Sequence, residues 1–139
     1  EGKEVARIAR LMGITLMPWQ QLVADISTEY RIVGPGESED DLHLNHRHYK
    51  YTKVLITVPR QSGKTTLTGP LRIHRMMTRP EITCWSTAQT GKDAGARMKD
   101  LHKLIRKSVI RRLFQIRLSQ GSEGLTCRKN GNACYSSNR

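Results

Sequence analysis

The chain has 139 residues, with 24 Lys or Arg against 12 Asp or Glu, and so carries a formal net charge of +12. This length suits one domain, and no apolar run is long enough to cross a bilayer as a helix. The excess of positive charge favours binding to polyanions, foremost nucleic acid, without distinguishing DNA from RNA.

Two helices are predicted at the start of the chain. Val5–Leu11 is a short amphipathic segment, and a second helix begins at Pro18, where the missing N–H costs nothing, and runs to about Tyr30. Helical spacing predicts that the second helix buries one apolar face, consisting of Leu22, Val23, Ile26 and Tyr30. The polar segment 34–49 predicts a loop, or a loop that enters a strand at Tyr49–Tyr51.

The segment Lys53–Thr66, KVLITVPRQSGKTT, has the pattern of a phosphate-binding loop. The apolar or β-branched run Val54–Val58 predicts a buried strand, the loop Pro59–Gly63 follows, and a helix opens with Lys-Thr-Thr. In such a loop the helix N-terminus faces an anion, Lys64 reaches the β- and γ-phosphates, and the Thr65 hydroxyl holds Mg²⁺. The standard pattern places glycine where this chain has Val58. The residues predicted to bind nucleotide are Gln61, Ser62, Gly63, Lys64, Thr65 and Thr66.

The remainder of the chain predicts an α/β fold. Pro70 predicts a kink or early break in the helix after the loop. A strand follows at Ile82–Ser86, and a helix begins at Gly91–Asp93 with an apolar stripe of Met98, Leu101, Leu104, Ile105 and Val109. This alternation indicates a parallel sheet with flanking helices. Short alternating runs separated by Asn130-Gly131 predict a C-terminal β-hairpin, across which Cys127 and Cys134 could face each other.

Three segments together resemble the N-terminal ATPase part of phage terminase large subunits, the motors that package DNA into viral capsids. They are MPWQQLV at 17–23, VPRQSGKTT at 58–66 and ITCWSTAQTGKDAGARM at 82–98. The phosphate loops of that family commonly lack the first glycine and carry Arg-Gln or Arg-Lys before Gly-Lys-[ST]. Here those residues are Arg60-Gln61. The resemblance implies that Gln20, beside Trp19, contacts adenine, and that Arg60 acts catalytically with Lys64 by stabilising charge on the γ-phosphoryl group.

The resemblance also implies an organisation, partners and a location. It divides one partial P-loop NTPase domain, 1–139, into a lead-in at 1–17, an adenine-side helix and loop at 18–52, an α/β core at 53–110 and a hairpin region at 111–139. ATP and Mg²⁺ are the implied cofactors, and double-stranded DNA is the implied substrate of the motor. A portal protein, a small terminase subunit and further copies in a ring are the implied partners. The implied place is the procapsid in the host cytoplasm, away from membranes.

The acidic pair that such an ATPase needs is missing from the sequence. No run of four apolar residues precedes Asp-Glu, and Asp40-Asp41 lies in a polar stretch before the phosphate loop. In terminases this pair follows a segment resembling the hairpin at 116–136. The resemblance therefore implies a truncated ATPase domain that is inactive by itself and lacks the nuclease of full-length relatives.

Other interpretations stay open at this point. A helicase-like or repair ATPase shares the same features, and a basic nucleic-acid-binding module could carry Gly-Lys-Thr by accident. The loop Thr87–Thr90 either lies at a ligand-binding sheet edge or caps the next helix. His43, His46 and His48 lack zinc-site spacing and favour a solvated loop. A basic helical face either contacts DNA phosphates or is simply solvated; it consists of Arg97, Lys99, Lys103, Arg106 and Lys107.

Overall fold

A four-stranded mixed sheet with helices packed against it forms the larger part of the α/β fold. The computed structural model describes residues 1–32, 47–79, 81–119 and 123–136. The helices are α1 (Gly2–Leu11), α2 (Pro18–Ser27), α3 (Lys64–Thr78), α4 (Gly91–Lys107) and a 3₁₀ helix (Val109–Leu113). The strands are β1 (Tyr30–Ile32), β2 (Arg47–Tyr49), β3 (Thr83–Ser86), β4 (Phe114–Arg117), β5 (Gly124–Cys127) and β6 (Ala133–Ser136). No helix in these ranges has both the length and the apolar character needed to cross a membrane.

The sheet order corrects the expected parallel arrangement. The strands lie in the order β3-β6-β5-β4, and of these neighbours only β3 and β6 are parallel. The strands β4, β5 and β6 follow one another through short connections, which antiparallel pairing allows and parallel pairing does not. β1 and β2 form a separate antiparallel ribbon.

The run Val54–Val58, predicted as a buried strand, forms no strand. No described strand pairs with it, and the Leu55 side chain is 92% exposed. Ile56 packs against the smaller of two apolar clusters, which includes Val5 and Leu67. An apolar β-branched run predicts a strand only where a neighbouring strand completes its backbone hydrogen bonds, and the described residues supply none here.

Helices α1, α3 and α4 meet the inner face of the sheet in the main core. The buried residues of this cluster are Ile8, Met12, Ile73, Met76, Met98, Leu101, Ile105, Ile110, Phe114, Leu125, Cys127 and Cys134. The predicted stripe of α4 is therefore correct at four positions, of which Leu104 is partly buried, whereas Val109 lies in the 3₁₀ helix and is 77% exposed. The opposite face of the sheet exposes Trp85, whose ring lies 5.5 Å from that of Tyr135.

Helix α2 forms as predicted from Pro18 but buries a different face. Its buried residues are Gln20, Ala24 and Ser27, while Leu22 and Ile26 are 58% and 43% exposed. Val23 of the predicted face does pack against the smaller apolar cluster beside Ala24, whereas Tyr30 lies in β1. Because α2 packs against both α1 and α3, it buries a mixed face of Gln20, Ala24 and Ser27, and this face contacts the loop before α3 through Gln20.

Helix α3 continues through Pro70, so the predicted early break does not occur. Pro70 is buried within the helix, and its ring leaves the carbonyl of the exposed Thr66 without the usual helical N–H. Solvent can satisfy this carbonyl, which lowers the cost of a proline at this point.

The predicted hairpin is confirmed, with Gly131 at φ 73° in the turn between β5 and β6. The amides of Asn130 and Asn132 donate to the Met76 carbonyl at 2.9 and 3.0 Å, which fastens the turn to α3. The expected Cys127–Cys134 juxtaposition is wrong, because Cys134 pairs with Leu125 across β5 and with Cys84 across β3. All three cysteines are free thiols, and burial raises the pKa of Cys134 to about 11.

Candidate nucleotide site

The loop that precedes α3 is tight and contains two residues at positive φ. Gln61 has φ 63° and Gly63, the residue that precedes the helix, has φ 86°. The Ser62 hydroxyl donates to the Pro59 carbonyl and closes the loop on itself. A left-handed residue directly before α3 turns the chain so that the loop folds back over the first turn of the helix.

The N-terminus of α3 is open, in contrast to that of α4. No side chain caps α3, and its first turn, Lys64-Thr65-Thr66, is exposed and contains no acidic residue. At α4 the Thr90 hydroxyl accepts from the Asp93 N–H at 3.1 Å, and Asp93 adds a carboxylate to the first turn. The N–H groups and positive dipole end of α3 are thus available to an anion, whereas those of α4 are already compensated.

Lys64 follows the loop in the chain, and its side chain reaches back across the loop to Val58. Its ammonium group donates to the Val58 carbonyl at 3.1 Å, and the residue is exposed. An exposed contact with one neutral carbonyl is weaker than a charge-assisted bond to phosphate, so an anion in the loop can replace it. Lys64 is therefore placed to contact a phosphate bound at the helix N-terminus.

Gln20 is brought to the loop, but its amide is engaged with the protein backbone. Its Oε1 accepts from the Met17 N–H at 2.8 Å, and its Nε2 donates to the Gly63 carbonyl at 2.9 Å. The side chain is 1% exposed. Gln20 thus caps α2 and holds the loop that precedes α3, while the adenine contact implied by the resemblance stays a prediction.

Thr65, Thr66 and Arg60 present side chains to solvent at this site. The hydroxyls of both threonines make no hydrogen bond with any described residue, and the Thr65 carbonyl accepts from the Thr68 hydroxyl at 3.0 Å. A free hydroxyl beside a phosphate-binding helix end is a suitable Mg²⁺ ligand in company with phosphate oxygens and water. Arg60 is exposed and forms no ion pair in the described part of the chain.

The donor set therefore fits a magnesium-bound nucleoside triphosphate. The positive charge of Lys64 and the positive end of the α3 dipole complement the charge of the phosphates, and the Thr65 hydroxyl can ligate Mg²⁺. The first turn of α3 contains no carboxylate that would repel the phosphates. ATP in this place would bring its own Mg²⁺ with its phosphate oxygens as ligands. The described residues contain no group of three or more His, Cys, Asp or Glu side chains able to hold a metal ion.

The other residues singled out in the sequence have separate positions. Thr90 caps α4, which supports the capping interpretation of that loop. Trp19 is half-buried against the smaller apolar cluster. His43, His46 and Asp40-Asp41 lie outside the described residues. The basic residues of α4 are exposed. The Lys99 ammonium group lies 3.7 Å from the Glu123 carboxylate, and that of Lys103 lies 3.1 Å from the Asp100 carboxylate.

Sequence reasoning missed the structural role of Gln20, although a signal was present. A glutamine at the third position of a helix, reaching back to the residue before the helix, is part of the capping-box pattern. The contact with Gly63 spans 43 residues and could not be deduced from local spacing.

Comparisons with known proteins add no relative from which a function could be transferred. No protein-family model matches the chain. Searches of the curated proteins and of the solved structures also find no match. The functional argument therefore depends on the residues and their geometry.

Proposed function

We propose that this chain is an ATP-binding part of a terminase large subunit, which couples ATP hydrolysis to the movement of double-stranded DNA into a procapsid. The observation that carries the nucleotide-binding proposal is the uncapped N-terminus of α3, with Lys64 folded over the loop that precedes it. The DNA-packaging role is supported by the sequence resemblance and by the net charge of +12.

Each residue of the loop has a distinct role in this proposal. The N–H groups of the first turn of α3 and the Lys64 ammonium bind phosphate oxygens, and the Thr65 hydroxyl ligates Mg²⁺. ATP with Mg²⁺ supplies an activated phosphoryl group. Arg60, exposed at the loop, reaches the γ-phosphoryl oxygens and stabilises their charge as the bond to the β-phosphate breaks.

Nucleotide titration tests the site directly. We expect the 139-residue chain to bind a fluorescent ATP analogue in the presence of Mg²⁺, and Lys64→Ala to weaken binding by at least about tenfold, since a charge-assisted contact is lost. Lys92→Ala is the matched control, because Lys92 is an exposed lysine in the first turn of α4, whose N-terminus is capped. Equal affinity of wild type and Lys64→Ala would reject the phosphate-loop assignment.

Turnover by the 139-residue chain alone is expected to be slow. The sequence has no apolar run followed by an acidic pair that could fix Mg²⁺ and orient the attacking water. A steady-state phosphate-release assay measures this, and rapid turnover by the chain alone would show that a catalytic carboxylate has been missed.

A basic nucleic-acid-binding module is the second candidate function. The observation that favours it is a group of four arginines that line one groove and form no ion pair within the described part of the chain. Duplex binding without measurable nucleotide binding would select this candidate. Stimulation of ATP hydrolysis by duplex but not by single-stranded DNA would favour the packaging motor over a helicase-like ATPase.

A further inference from the structure

An open groove lies where the end of α4, the 3₁₀ helix, β4 and the turn after β5 come together. Its volume is about 900 Å³, and four of its lining residues are Arg106, Arg111, Arg112 and Arg128. Its lining includes no acidic residue from the part of the chain that the structure describes. These arginines come from separate parts of the chain, and only the fold brings Arg128 to the other three.

The four guanidinium groups are free of ion pairs within the described part of the chain. All four residues are exposed, while the nearby carboxylates of Asp100 and Glu123 contact Lys103 and Lys99 instead. Like charges gathered in one groove repel one another, and a bound polyanion relieves that repulsion. The groove therefore favours a ligand with several negative charges.

The backbone that carries these arginines is firmly anchored. Ile110 and Phe114, which flank Arg111 and Arg112, are 5% and 4% exposed and belong to the main core. The Arg128 N–H donates to the Leu113 carbonyl at 2.9 Å, which ties the turn to the start of β4. The fold therefore fixes the points from which these arginine side chains extend, and a guanidinium group can present its donors to phosphate in pairs.

We propose that this groove binds the sugar–phosphate backbone of duplex nucleic acid, independently of base sequence. Among the described residues the one aromatic side chain in the lining is that of Phe114, which is buried and so offers no exposed ring on which bases could stack. Binding of single strands commonly depends on such exposed rings, whereas a duplex presents its phosphates on the outside. An open groove with charges from four positions suits a run of phosphates better than one small anion.

In the proposed function, this groove is the surface that contacts DNA. Duplex binding by the groove does not depend on the proposed function; only the role of the groove in packaging rests on it. The chemistry depends on Arg106, Arg111, Arg112 and Arg128 and does not involve the loop before α3. Binding of duplex is therefore expected without ATP and in the Lys64→Ala variant. Failure of nucleotide binding would leave the groove proposal intact, and loss of duplex binding alone would leave the nucleotide site intact.

Fluorescence anisotropy with a short labelled DNA duplex tests the groove. We expect Arg111→Gln/Arg112→Gln to lower affinity at least about tenfold and to reduce the slope of log K against log[salt] by about two. Arg7→Gln/Arg10→Gln in α1 is the matched control, since both are exposed arginines and the same charge is removed elsewhere. Arg128→Gln should weaken binding in the same way, although it lies in a different element.

The control outcomes decide between local and diffuse binding. Equal losses in the α1 and groove variants, at unchanged circular dichroism and melting temperature, would overturn the proposal in favour of general charge attraction. Tighter binding of single-stranded than of duplex DNA would overturn the choice of ligand. Replacement by lysine, in Arg111→Lys/Arg112→Lys, keeps the charge, so an affinity between those of wild type and the glutamine variant is expected.

Discussion

The side chain of Gln20 joins the start of α2 to the loop that precedes α3, donating to the Gly63 carbonyl at 2.9 Å. Its other amide atom, Oε1, accepts from the Met17 N–H, so one buried side chain supplies the Met17 N–H with an acceptor and gives the Gly63 carbonyl a second donor besides the Leu67 N–H. The position of the candidate phosphate loop is therefore coupled to α2. This coupling can be measured.

Gln20→Ala is expected to destabilise the fold by about 1–3 kcal/mol, because the Met17 N–H loses its acceptor and the Gly63 carbonyl keeps only the longer bond from the Leu67 N–H, at 3.4 Å. Gln21→Ala is the control, since Gln21 bonds only to the Asp25 carboxylate in an exposed pair. Urea unfolding monitored by circular dichroism gives both values. A loss no larger than that of Gln21→Ala would mean that the buried bridge contributes little.

Gly63→Ala is expected to cost more than an alanine at another left-handed glycine. A Cβ at Gly63 meets Gln20 Nε2 at 2.8 Å, and φ is 86°. Gly13, at φ 78°, has nothing within 4 Å of its added Cβ, so Gly13→Ala reports backbone strain alone, on the order of 1 kcal/mol.

A double-mutant cycle separates the contact from the strain. Thermal or urea unfolding of Gly63→Ala, Gln20→Ala and the double variant gives the coupling free energy. The second substitution removes the atom that the new Cβ meets, so the double variant should be more stable than the sum of the single losses predicts. Strict additivity would show that the two residues do not interact as described.

Arg60→Ala is expected to slow ATP hydrolysis while leaving ATP affinity nearly unchanged. An arginine that acts on the transition state contributes about 10³–10⁵ in rate, and little to ground-state binding. Single-turnover kinetics, in a form of the protein that hydrolyses ATP, and nucleotide titration measure the two quantities separately. Lys53→Ala, which removes another exposed cation of this region, is the control. Parallel losses of rate and affinity would assign Arg60 to ground-state phosphate binding.

His102 is expected to make the fold less stable in mild acid. It is 2% exposed, and neither ring nitrogen has a partner of hydrogen-bonding geometry among the described residues. Burial lowers the pKa of His102 below its ordinary 6.5, and the nearby Gly124 backbone and Glu123 carboxylate offset only part of this effect. Burial also lowers the pKa of His74.

The sign of the pH dependence follows from linkage. Below about pH 6.5 the unfolded chain binds protons at these histidines before the folded chain does, so the free energy of unfolding falls as pH decreases towards the folded pKa values. Well above pH 6.5, from about pH 7.5, the histidines of both forms are neutral and their contribution is constant. Urea unfolding from about pH 5 to 7.5 should show a smaller slope in His102→Gln and in His74→Gln than in wild type. Identical slopes in all three proteins would contradict the assignment.

The sequence alone determined the elements whose signals are local. Pro18 starts α2, Gly63 precedes α3, Asn130-Gly131 lies in the β5–β6 turn, and the apolar stripe of α4 faces the core. Helices and tight turns complete their hydrogen bonds within a few residues, so short patterns specify them. The composition of the candidate nucleotide site, from Gly63 to Thr66, was readable for the same reason.

Tertiary structure decided everything that depends on a distant partner. A strand needs a neighbour for its backbone groups; Val54–Val58 finds none among the described strands, while β6 pairs with β3 in parallel. Packing against α1 and α3 buried Gln20, Ala24 and Ser27 of α2 and placed Gln20 on Gly63, while Leu22 and Ile26 of its apolar pattern stayed exposed. Arg128 likewise reached the groove only because β5 pairs with β4. These contacts join residues far apart in the chain, and the free energy that selects them comes from burial in the complete fold rather than from any local sequence preference.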